Sequence, residues 1–394
     1  MAFPINPTLD CDIAIVGAGP VGLLLGNFLG AKGFRVMIFE KRDAPTRYSQ
    51  AIGITPPSLG ILSKLNLDQE FITNGVKITE CFVNGGSSQL GRVSFANLPG
   101  NYPFILSLPQ TQNLAILESA LTQYPHVSLY RGVEVTGLEQ SSNSVTLKLS
   151  GKDAPSTVNA SYLIACDGSR SRVRDEFLKL RATRKTYGCH FVMGDFIDRS
   201  NLGTAAHLYF TPDGAVESFP LPNGKRRWIV QTETHLDDAR PGLLVELVKR
   251  RSRHELPIED QLNQNAFTPN RIDCEQYDDS RVVLCGDAAH VMSPIGGQGM
   301  NTGFADAAFL ADVLERILRK GQAPNPLLTE YNRVRQKAAR ASANKAALGM
   351  WLGTWRGRPA SFIRDQILRY LILRGPVARG VAASFAMLGK GMRS

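Results

Sequence analysis

The order of apolar and polar residues predicts buried parallel strands in one part of the chain. Three short runs, at 11–16, 161–166 and 281–284, are apolar almost throughout, which is typical of strands covered on both faces. Each run ends in a turn that contains glycine, and a helical pattern follows. After the third turn, Met300, Phe304 and Ala308 recur at helical spacing. The pattern predicts a Rossmann-like α/β lobe with its turns gathered at one sheet edge.

A second pattern predicts antiparallel strands. Between 187 and 234 short runs alternate apolar and polar residues and are broken by the turn sequences Pro-Asp-Gly at 212–214 and Pro-Asn-Gly at 222–224. The segment 78–108 alternates similarly, 127–149 resembles a strand meander, and the chain after 326 is mostly helical in pattern. The predicted fold class is therefore α/β: a Rossmann-like nucleotide-binding lobe with a parallel sheet, an inserted antiparallel-sheet lobe and C-terminal helices. The predicted boundaries are 1–76, 109–180 and 266–340 for the nucleotide-binding lobe, 77–108 and 181–265 for the substrate lobe, and 341–394 for the helical segment.

The first buried strand leads into a glycine-rich turn, and the next strand ends in an acid. The residues concerned are Gly17, Gly19, Pro20, Val21 and Gly22 in the turn, and Glu40 and Lys41 after the second strand. Gly17 permits the tight turn, Gly19 lets the backbone approach a pyrophosphate, and Gly22 lets helix pack on strand. Glu40 can accept a hydrogen bond from a ribose hydroxyl. Strand, turn, helix, strand and acid together predict a dinucleotide site.

Two further carboxylates follow buried strands. Asp167 comes after the second run, and Asp287 follows Gly286 after the third. The loop beyond Asp287 is rich in glycine and leads to a helix whose N-terminal N–H groups favour a negatively charged ligand. The sequence therefore predicts that carboxylates and open backbone meet at one edge of the parallel sheet.

Composition narrows the class of protein. The chain has 394 residues and a net charge of +10, and its basic residues are densest in the tail. Aromatic residues do not alternate with these charges as on a nucleic-acid platform, so we expect no nucleic-acid partner, and we expect the basic positions to form a solvated helix face, with membrane-surface contact as a minor alternative. Six cysteines without paired spacing predict buried thiols in the cytoplasm and no metal site.

The three motifs in this order resemble the class A, single-component flavoprotein aromatic hydroxylases, whose fold prototype is para-hydroxybenzoate hydroxylase. The resemblance covers about residues 10–340 and implies FAD as a bound cofactor. It also implies a role for Gln110 close to FAD. Many relatives have an arginine near the FAD pyrophosphate where this chain has Gln50, so Gln50 and Arg47, three residues earlier, are both candidates for that contact. The cofactor-binding residues implied in all are Gly17, Gly19, Pro20, Val21, Gly22, Glu40, Lys41, Arg47, Gln110, Asp167, Gly286, Asp287, Pro294, Gly297, Gly299, Met300 and Asn301.

The resemblance further implies a reaction. NADPH or NADH binds transiently and reduces the flavin, O2 forms a flavin C4a-hydroperoxide, and one oxygen atom passes to a phenolic, aromatic or polyketide-type substrate. We expect an apolar wall of Phe191, Leu208, Phe210, Phe219 and Trp228 to exclude water. The activating base is open, with His190, Tyr187, His207 and Tyr209 as candidates, and Pro294 as a further candidate catalytic residue beside the ring. His290 is expected to order the loop.

Two alternatives remain from the sequence. One is a flavin-dependent halogenase or other oxidative tailoring enzyme; halogenases share this nucleotide-binding lobe, but their Trp-x-Trp-x-Ile-Pro signature is missing. A flavin-binding protein without catalysis would keep the same motifs. The tail residues Trp351, Trp355, Phe362, Ile363, Ile367, Leu368, Leu371 and Ile372 are expected either to cover the substrate site or to form a dimer face, so the chain is predicted to be a monomer or a homodimer.

Overall fold

The computed structural model describes residues 9–46, 51–86, 88–151, 154–236 and 240–388. Arg47 and Gln50, the two candidates for the pyrophosphate, lie outside the described residues, as do Lys390 and Arg393 of the basic tail.

The strands are β1 (Cys11–Val16), β2 (Val36–Glu40), β3 (Gly53–Ile54), β4 (Val76–Ile78), β5 (Glu80–Asn84), β6 (Gln89–Ser94), β7 (Ile105–Ser107), β8 (Val127–Arg131), β9 (Val133–Gln140), β10 (Val145–Gly151), β11 (Thr157–Ala165), β12 (Ala182–Thr186), β13 (His190–Ile197), β14 (Ala206–Thr211), β15 (Gly214–Leu221), β16 (Lys225–Thr232), β17 (Asn265–Phe267), β18 (Asn270–Cys274), β19 (Asp278–Asp279), β20 (Val282–Leu284) and β21 (His290–Val291).

The helices are α1 (Pro20–Ala31), α2 (Pro56–Ser63), α3 (Asp68–Asn74), α4 (Gln110–Leu121), α5 (Leu243–Ser252), α6 (Gln298–Leu318), α7 (Pro324–Gly353), α8 (Arg358–Ile367) and α9 (Gly375–Phe385). Short 3-10 turns lie at Ile258–Asp260 and Gly286–Ala288, and single π-helical turns at Val173–Phe177 and Leu368–Ile372.

A parallel sheet forms the centre of the nucleotide-binding lobe. Its strand order is β20-β11-β1-β2-β8, and every neighbouring pair in that order is parallel. Helix α1 packs against α4 and α6 on the sheet, and the strands are apolar because helices and neighbouring sheets cover them. All five carboxyl ends lie at one edge, which confirms the predicted α/β class.

The stretch at 127–149 differs from the expected meander. β8 joins the parallel sheet beside β2, with Val36 opposite Val127, whereas β9 and β10 form an antiparallel extension on β11. The alternation within β8 is weak, so local pattern could not distinguish a strand that pairs with its neighbour from one that pairs across a helix.

The second large sheet is antiparallel at its centre. Its order is β17-β13-β16-β15-β14-β5-β6, and the pair β14–β5 is parallel because the chain returns to it from a distant segment. Helix α5 covers one face of this sheet. The other face looks across a cleft toward the carboxyl edge of the parallel sheet.

Two small sheets connect these parts. β3, β7 and β4 form one, and β12, β18 and β21 form the other. The predicted boundaries at 76/77, 108/109 and 180/181 fall in or beside these small sheets, whereas 265/266 falls in β17 of the large sheet and 340/341 within α7. We retain the predicted domains as a proposal. Among the helices in the described ranges, none combines the length and apolarity that crossing a membrane requires.

Candidate functional site

The three predicted turns converge at the carboxyl edge of the parallel sheet. A Cβ atom built on Gly17 would lie 2.4 Å from the carbonyl oxygen of Cys166, and one on Gly286 would lie 3.1 Å from Val21. Gly22 is equally constrained, because its Cβ would meet the Gly17 carbonyl at 2.0 Å. Glycine is required at positions 17 and 22 because backbone atoms occupy the space of a side chain, and Gly17 also has a φ of +103°.

The carboxylates of Glu40 and Asp167 both line the cleft. Glu40 accepts hydrogen bonds from the N–H groups of Ala18 and Arg42, each at 3.0 Å, which fixes its orientation. Asp167 accepts one bond from the Val173 N–H, and burial raises its pKa. Its Oδ1 atom is buried and has no hydrogen-bond partner among the described residues. An unpartnered buried acceptor at the cleft wall fits a ligand that brings hydroxyl or N–H donors.

Asp287 and the N-terminus of α6 form the next part of the wall. Burial raises the pKa of Asp287, whose carboxylate faces the cleft 4.0 Å from a Cβ built on Gly299. Helix α6 begins after Gly297, which is left-handed with a φ of +63°, and no side chain caps its first N–H groups. Helix α1 likewise begins at Gly19 without a side-chain cap. Two helix N-termini thus offer open N–H donors toward one cleft, as an anionic or electron-rich cofactor requires.

The predicted cofactor residues divide into two groups. Those lining the cleft are Gly17, Gly19, Pro20, Val21, Glu40, Lys41, Gln110, Asp167, Asp287, Pro294, Gly297, Gly299 and Met300. Gly22, Gly286 and Asn301 lie behind this wall. The Asn301 side chain accepts the Thr55 N–H at 2.9 Å and donates to the carbonyl oxygens of Gly53 and Gly297 at 2.9 and 2.6 Å. Asn301 therefore ties β3 to the start of α6, a bracing role that the sequence did not indicate.

A buried charge cluster holds the turn that carries Asp287. Asp306 on α6 bonds His290 at 2.6 Å, forms an ion pair with Arg335 of α7 and accepts the Gly286 N–H at 3.2 Å. Burial alone would raise the pKa of Asp306, but Arg335 and His290 lower it overall. His290 was expected to order this loop, and its contacts have that geometry.

The cleft has a volume of about 1510 Å³, larger than the roughly 300–1,000 Å³ typical of a site for one small ligand. Its far wall is the open face of the antiparallel sheet, with Phe191, Leu208, Phe210 and Phe219 as predicted. Trp228 does not fit that expectation. It is 1% exposed on the opposite face, against α5, because side chains alternate along β16 and its neighbours Arg227 and Ile229 point to the cleft.

The same alternation corrects two candidate bases. Along β14, Leu208 and Phe210 face the cleft, so His207 and Tyr209 point away from it. His207 stacks on Phe82, and the Tyr209 hydroxyl lies 2.7 Å from His254 Nε2. Neither ring reaches the cleft in this geometry.

The other candidates lie in different places. His190 bonds the Thr268 hydroxyl at 2.7 Å, and neither it nor Tyr187 is among the described residues that line the cleft. Pro294 does line the cleft, beside the α6 loop.

The structure shows an acid that sequence reasoning missed. Glu217 of β15 faces the cleft between Leu208 of β14 and Ile229 of β16. Its carboxylate has no hydrogen-bond or ion-pair partner in the described part of the chain, and burial raises its pKa to about 7. Both faces of β15 carry apolar residues, so the alternation along this strand does not indicate which face Glu217 occupies.

The C-terminal helices cover part of the cleft, which agrees with the expectation that the tail covers the substrate site. Leu368 and Ile372 line it together with Leu373, Val381, Ser384 and Phe385. Of the other predicted tail residues, Trp351, Phe362, Ile363 and Leu371 are exposed, and Trp355 and Ile367 are half-buried. Arg364 is buried, not solvated as expected: it lies over the Phe210 ring and donates to the Trp355 carbonyl.

A parallel sheet with three acidic or glycine-rich turns at one edge, facing an apolar antiparallel sheet, defines a dinucleotide-binding fold of the Rossmann type. A family model described as "FAD binding domain" matches residues 10–346, and the chain belongs to that family. The predicted family resemblance is thereby confirmed.

Curated relatives are hydroxylases. The chain is 28% identical over 363 residues to a 3-(3-hydroxy-phenyl)propionate/3-hydroxycinnamic acid hydroxylase of Mycolicibacterium smegmatis, covering 91% of this chain and 64% of that one. It is 32% identical over 342 residues to the Klebsiella pneumoniae protein of the same name, covering 84% and 60%. The chain thus spans 60 to 64% of the length of these two relatives.

Solved structures share the fold. The p-nitrophenol 4-monooxygenase PnpA of Pseudomonas putida DLL-E4 superposes with a TM-score of 0.87 at 24% identity, covering 96% of this chain and 98% of that chain. OxyS anhydrotetracycline hydroxylase of Streptomyces rimosus superposes with a TM-score of 0.79 at 26% identity, covering 96% and 76%.

Proposed function

We propose that this chain is an FAD-dependent monooxygenase that hydroxylates a phenolic, aromatic or polyketide-type small molecule, with NADH or NADPH as transient reductant and O2 as co-substrate. One observation carries the proposal: a single cleft joins the nucleotide-binding turns of one lobe to the apolar sheet face of the other. The names of the relatives, hydroxylases of hydroxyphenylpropionate and of anhydrotetracycline, support the same reaction class.

The residues present fit FAD. Gly17, Gly19 and Glu40 would hold the ADP portion, Asp287 would accept from the ribityl hydroxyls, and the open N–H groups at the start of α6 would face the ring. The unpartnered Oδ1 of Asp167 is an acceptor that a bound cofactor would satisfy. When bound, FAD supplies the hydride acceptor and the O2-activating group, which protein side chains lack.

The chain's own residues would control the surroundings of the reaction. The phenylalanines of the sheet face and the tail residues Leu373 and Phe385 would exclude water from the cleft. The N–H groups at the α6 N-terminus would stabilise negative charge on the adjacent ring. All six cysteines are buried free thiols, which supports the proposal of a reducing compartment such as the cytoplasm.

The test begins with purified protein loaded with FAD. We expect about one FAD per chain, NAD(P)H oxidation that phenols accelerate, and a product containing one oxygen atom from O2. Asp287→Ala should weaken FAD binding about 10-fold or more, through a lost charged acceptor. Asp279→Ala, on β19 away from the cleft lining, is the matched control.

Three outcomes would contradict the proposal. Full FAD retention by Asp287→Ala would refute the assigned cofactor site. A product that contains halide in place of oxygen would indicate a halogenase, and bound FAD that NAD(P)H never reduces would indicate a binding protein without catalysis.

A further inference from the structure

The cleft contains a carboxylate that has no hydrogen-bond or ion-pair partner in the described part of the chain. Glu217 lies in the middle of the apolar sheet face, and Leu208, Phe219 and Ile229 surround it on β14, β15 and β16. No described residue donates a hydrogen bond to it. Glu217 is half-buried. A carboxylate that faces an apolar wall without a donor is costly, so it is expected where a ligand supplies the donor.

The other ionisable groups near Glu217 do not neutralise it. Cys81 of β5 also lines the cleft, and burial together with the Glu217 carboxylate raises the pKa of its thiol to about 12. Arg227 of β16 also lines the cleft, but its guanidinium bonds both carboxylate oxygens of Asp195, at 2.7 and 2.9 Å. From the helices, Lys345 of α7 lines the cleft at an exposed position.

Resting on the proposed function, we propose that Glu217 receives the hydroxyl group of the aromatic substrate as hydrogen-bond acceptor and base, and that the cleft selects neutral phenols over aromatic acids. The wall beside Glu217 presents a negative charge, and its buried arginine is already neutralised by Asp195. A substrate carboxylate would meet repulsion there and no free buried cation in the described sheet.

The proton transfer is balanced. The O–H bond of the phenol breaks, its proton moves to a carboxylate oxygen of Glu217, and the electron pair stays on the phenol oxygen. The pair keeps one negative charge before and after the step. Burial raises the pKa of Glu217 to about 7, which brings the base closer to a phenol and within the range that suits proton transfer at neutral pH.

The experiment uses the FAD-loaded full chain and a matched pair of probes, 3-(3-hydroxyphenyl)propionate and its neutral amide. Binding is measured from the change in the flavin spectrum at pH 8, and turnover from NAD(P)H oxidation and product. The amide should bind about 10-fold or more tightly than the acid, as expected for two like charges in a partly desolvated site. In Glu217→Gln this preference should fall below about threefold, because the charge is gone.

The base role has its own readout. Glu217→Gln should lower kcat for the amide about 100-fold while changing its KM much less, and should remove the rise in kcat/KM near pH 7. Glu217→Asp retains the charge and should keep the preference for the amide. This variant tests the same idea if Glu217→Gln folds poorly. Glu246→Gln, on α5 at the other face of the sheet, is the matched control.

Several results would overturn the inference: equal binding of acid and amide by the wild type, no binding of either probe, or full turnover and an unchanged pH profile in Glu217→Gln. These differ from failure of the proposed function. If the amide binds preferentially but no oxygen reaches it, the assigned reaction fails and the selective phenol site stands. If the acid is hydroxylated and Glu217→Gln has the same turnover and the same acid-to-amide preference as the wild type, the reaction stands and the role of Glu217 fails.

Discussion

Arg335→Met is expected to destabilise the protein through the buried cluster around Asp306. Arg335 is 5% exposed and Asp306 is fully buried, so the substitution leaves the Asp306 carboxylate in the interior without its arginine partner, held only by His290 and the Gly286 N–H. Two unit charges about 4 Å apart interact by about 4 kcal/mol at an effective dielectric of about 20, and breaking buried pairs costs roughly 3–5 kcal/mol. We therefore expect a loss of about 3–5 kcal/mol in the free energy of unfolding. Guanidinium unfolding curves at a fixed FAD concentration measure it.

Arg333→Met is the matched control, since Arg333 is an exposed residue on the same helix. It should change the free energy of unfolding by less than about 0.5 kcal/mol. The double variant Asp306→Asn, Arg335→Met should lose less than the sum of the two single variants, because it leaves no buried charge unpaired. Arg335→Met should also weaken FAD binding, because Asp306 accepts the Gly286 N–H beside Asp287. A loss within about 1 kcal/mol of the control would refute the assignment of a compensated buried charge.

Two further predictions concern a glycine pair and a histidine. Gly17→Ala should destabilise even the FAD-free protein, because its Cβ would lie 2.4 Å from the Cys166 carbonyl oxygen. Gly19→Ala has open space around its Cβ, so it should leave the melting temperature of the FAD-free protein unchanged and weaken FAD binding. Equal behaviour of the two variants would contradict the assigned site. Burial and then Arg226 lower the pKa of His207 to about 4, so the stability of the folded state should fall as pH drops from about 6.5 toward 4. In His207→Gln the free energy of unfolding should depend less on pH between about 6.5 and 4. The same pH dependence in the variant and the wild type would contradict this prediction.

The sequence predicted the nucleotide-binding lobe best because its signals are local. A buried strand, a turn that only glycine fits, and an acid at the next strand end lie within about 30 residues, so each of Gly17, Gly22 and Glu40 could be assigned from its neighbours. The small sheets and the position of β8 depend on pairing between distant segments, which no local pattern specifies.

The substrate lobe was harder to predict for a different reason. Its large sheet is covered by α5 on one face and lines the cleft with the other, so apolar residues occur on both faces of β14, β15 and β16. The alternation of side chains then shows that each strand has two faces, but it does not indicate which face packs on α5 and which lines the cleft. For that reason the sequence predicts Tyr209 and Trp228 at the cleft, where the structure has Glu217 instead.

Asp306 and Glu217 are carboxylates in opposite surroundings, and the difference can be measured. Asp306 is compensated by Arg335 and His290 and stabilises the fold, whereas Glu217 has no described partner. Burial raises the pKa of Glu217 from 4.5 to about 7, so the folded state is stabilised relative to the unfolded state below pH 4.5 and loses that advantage as pH rises toward 7. At pH 8 the ionised carboxylate should cost about 1–3 kcal/mol, allowing for solvent in the cleft. Glu217→Gln should therefore unfold at a higher guanidinium concentration than the wild type at pH 8 and lose this advantage at pH 4.5. A variant less stable than the wild type at pH 8 would show that Glu217 serves the fold and would remove the reason to assign it to a ligand.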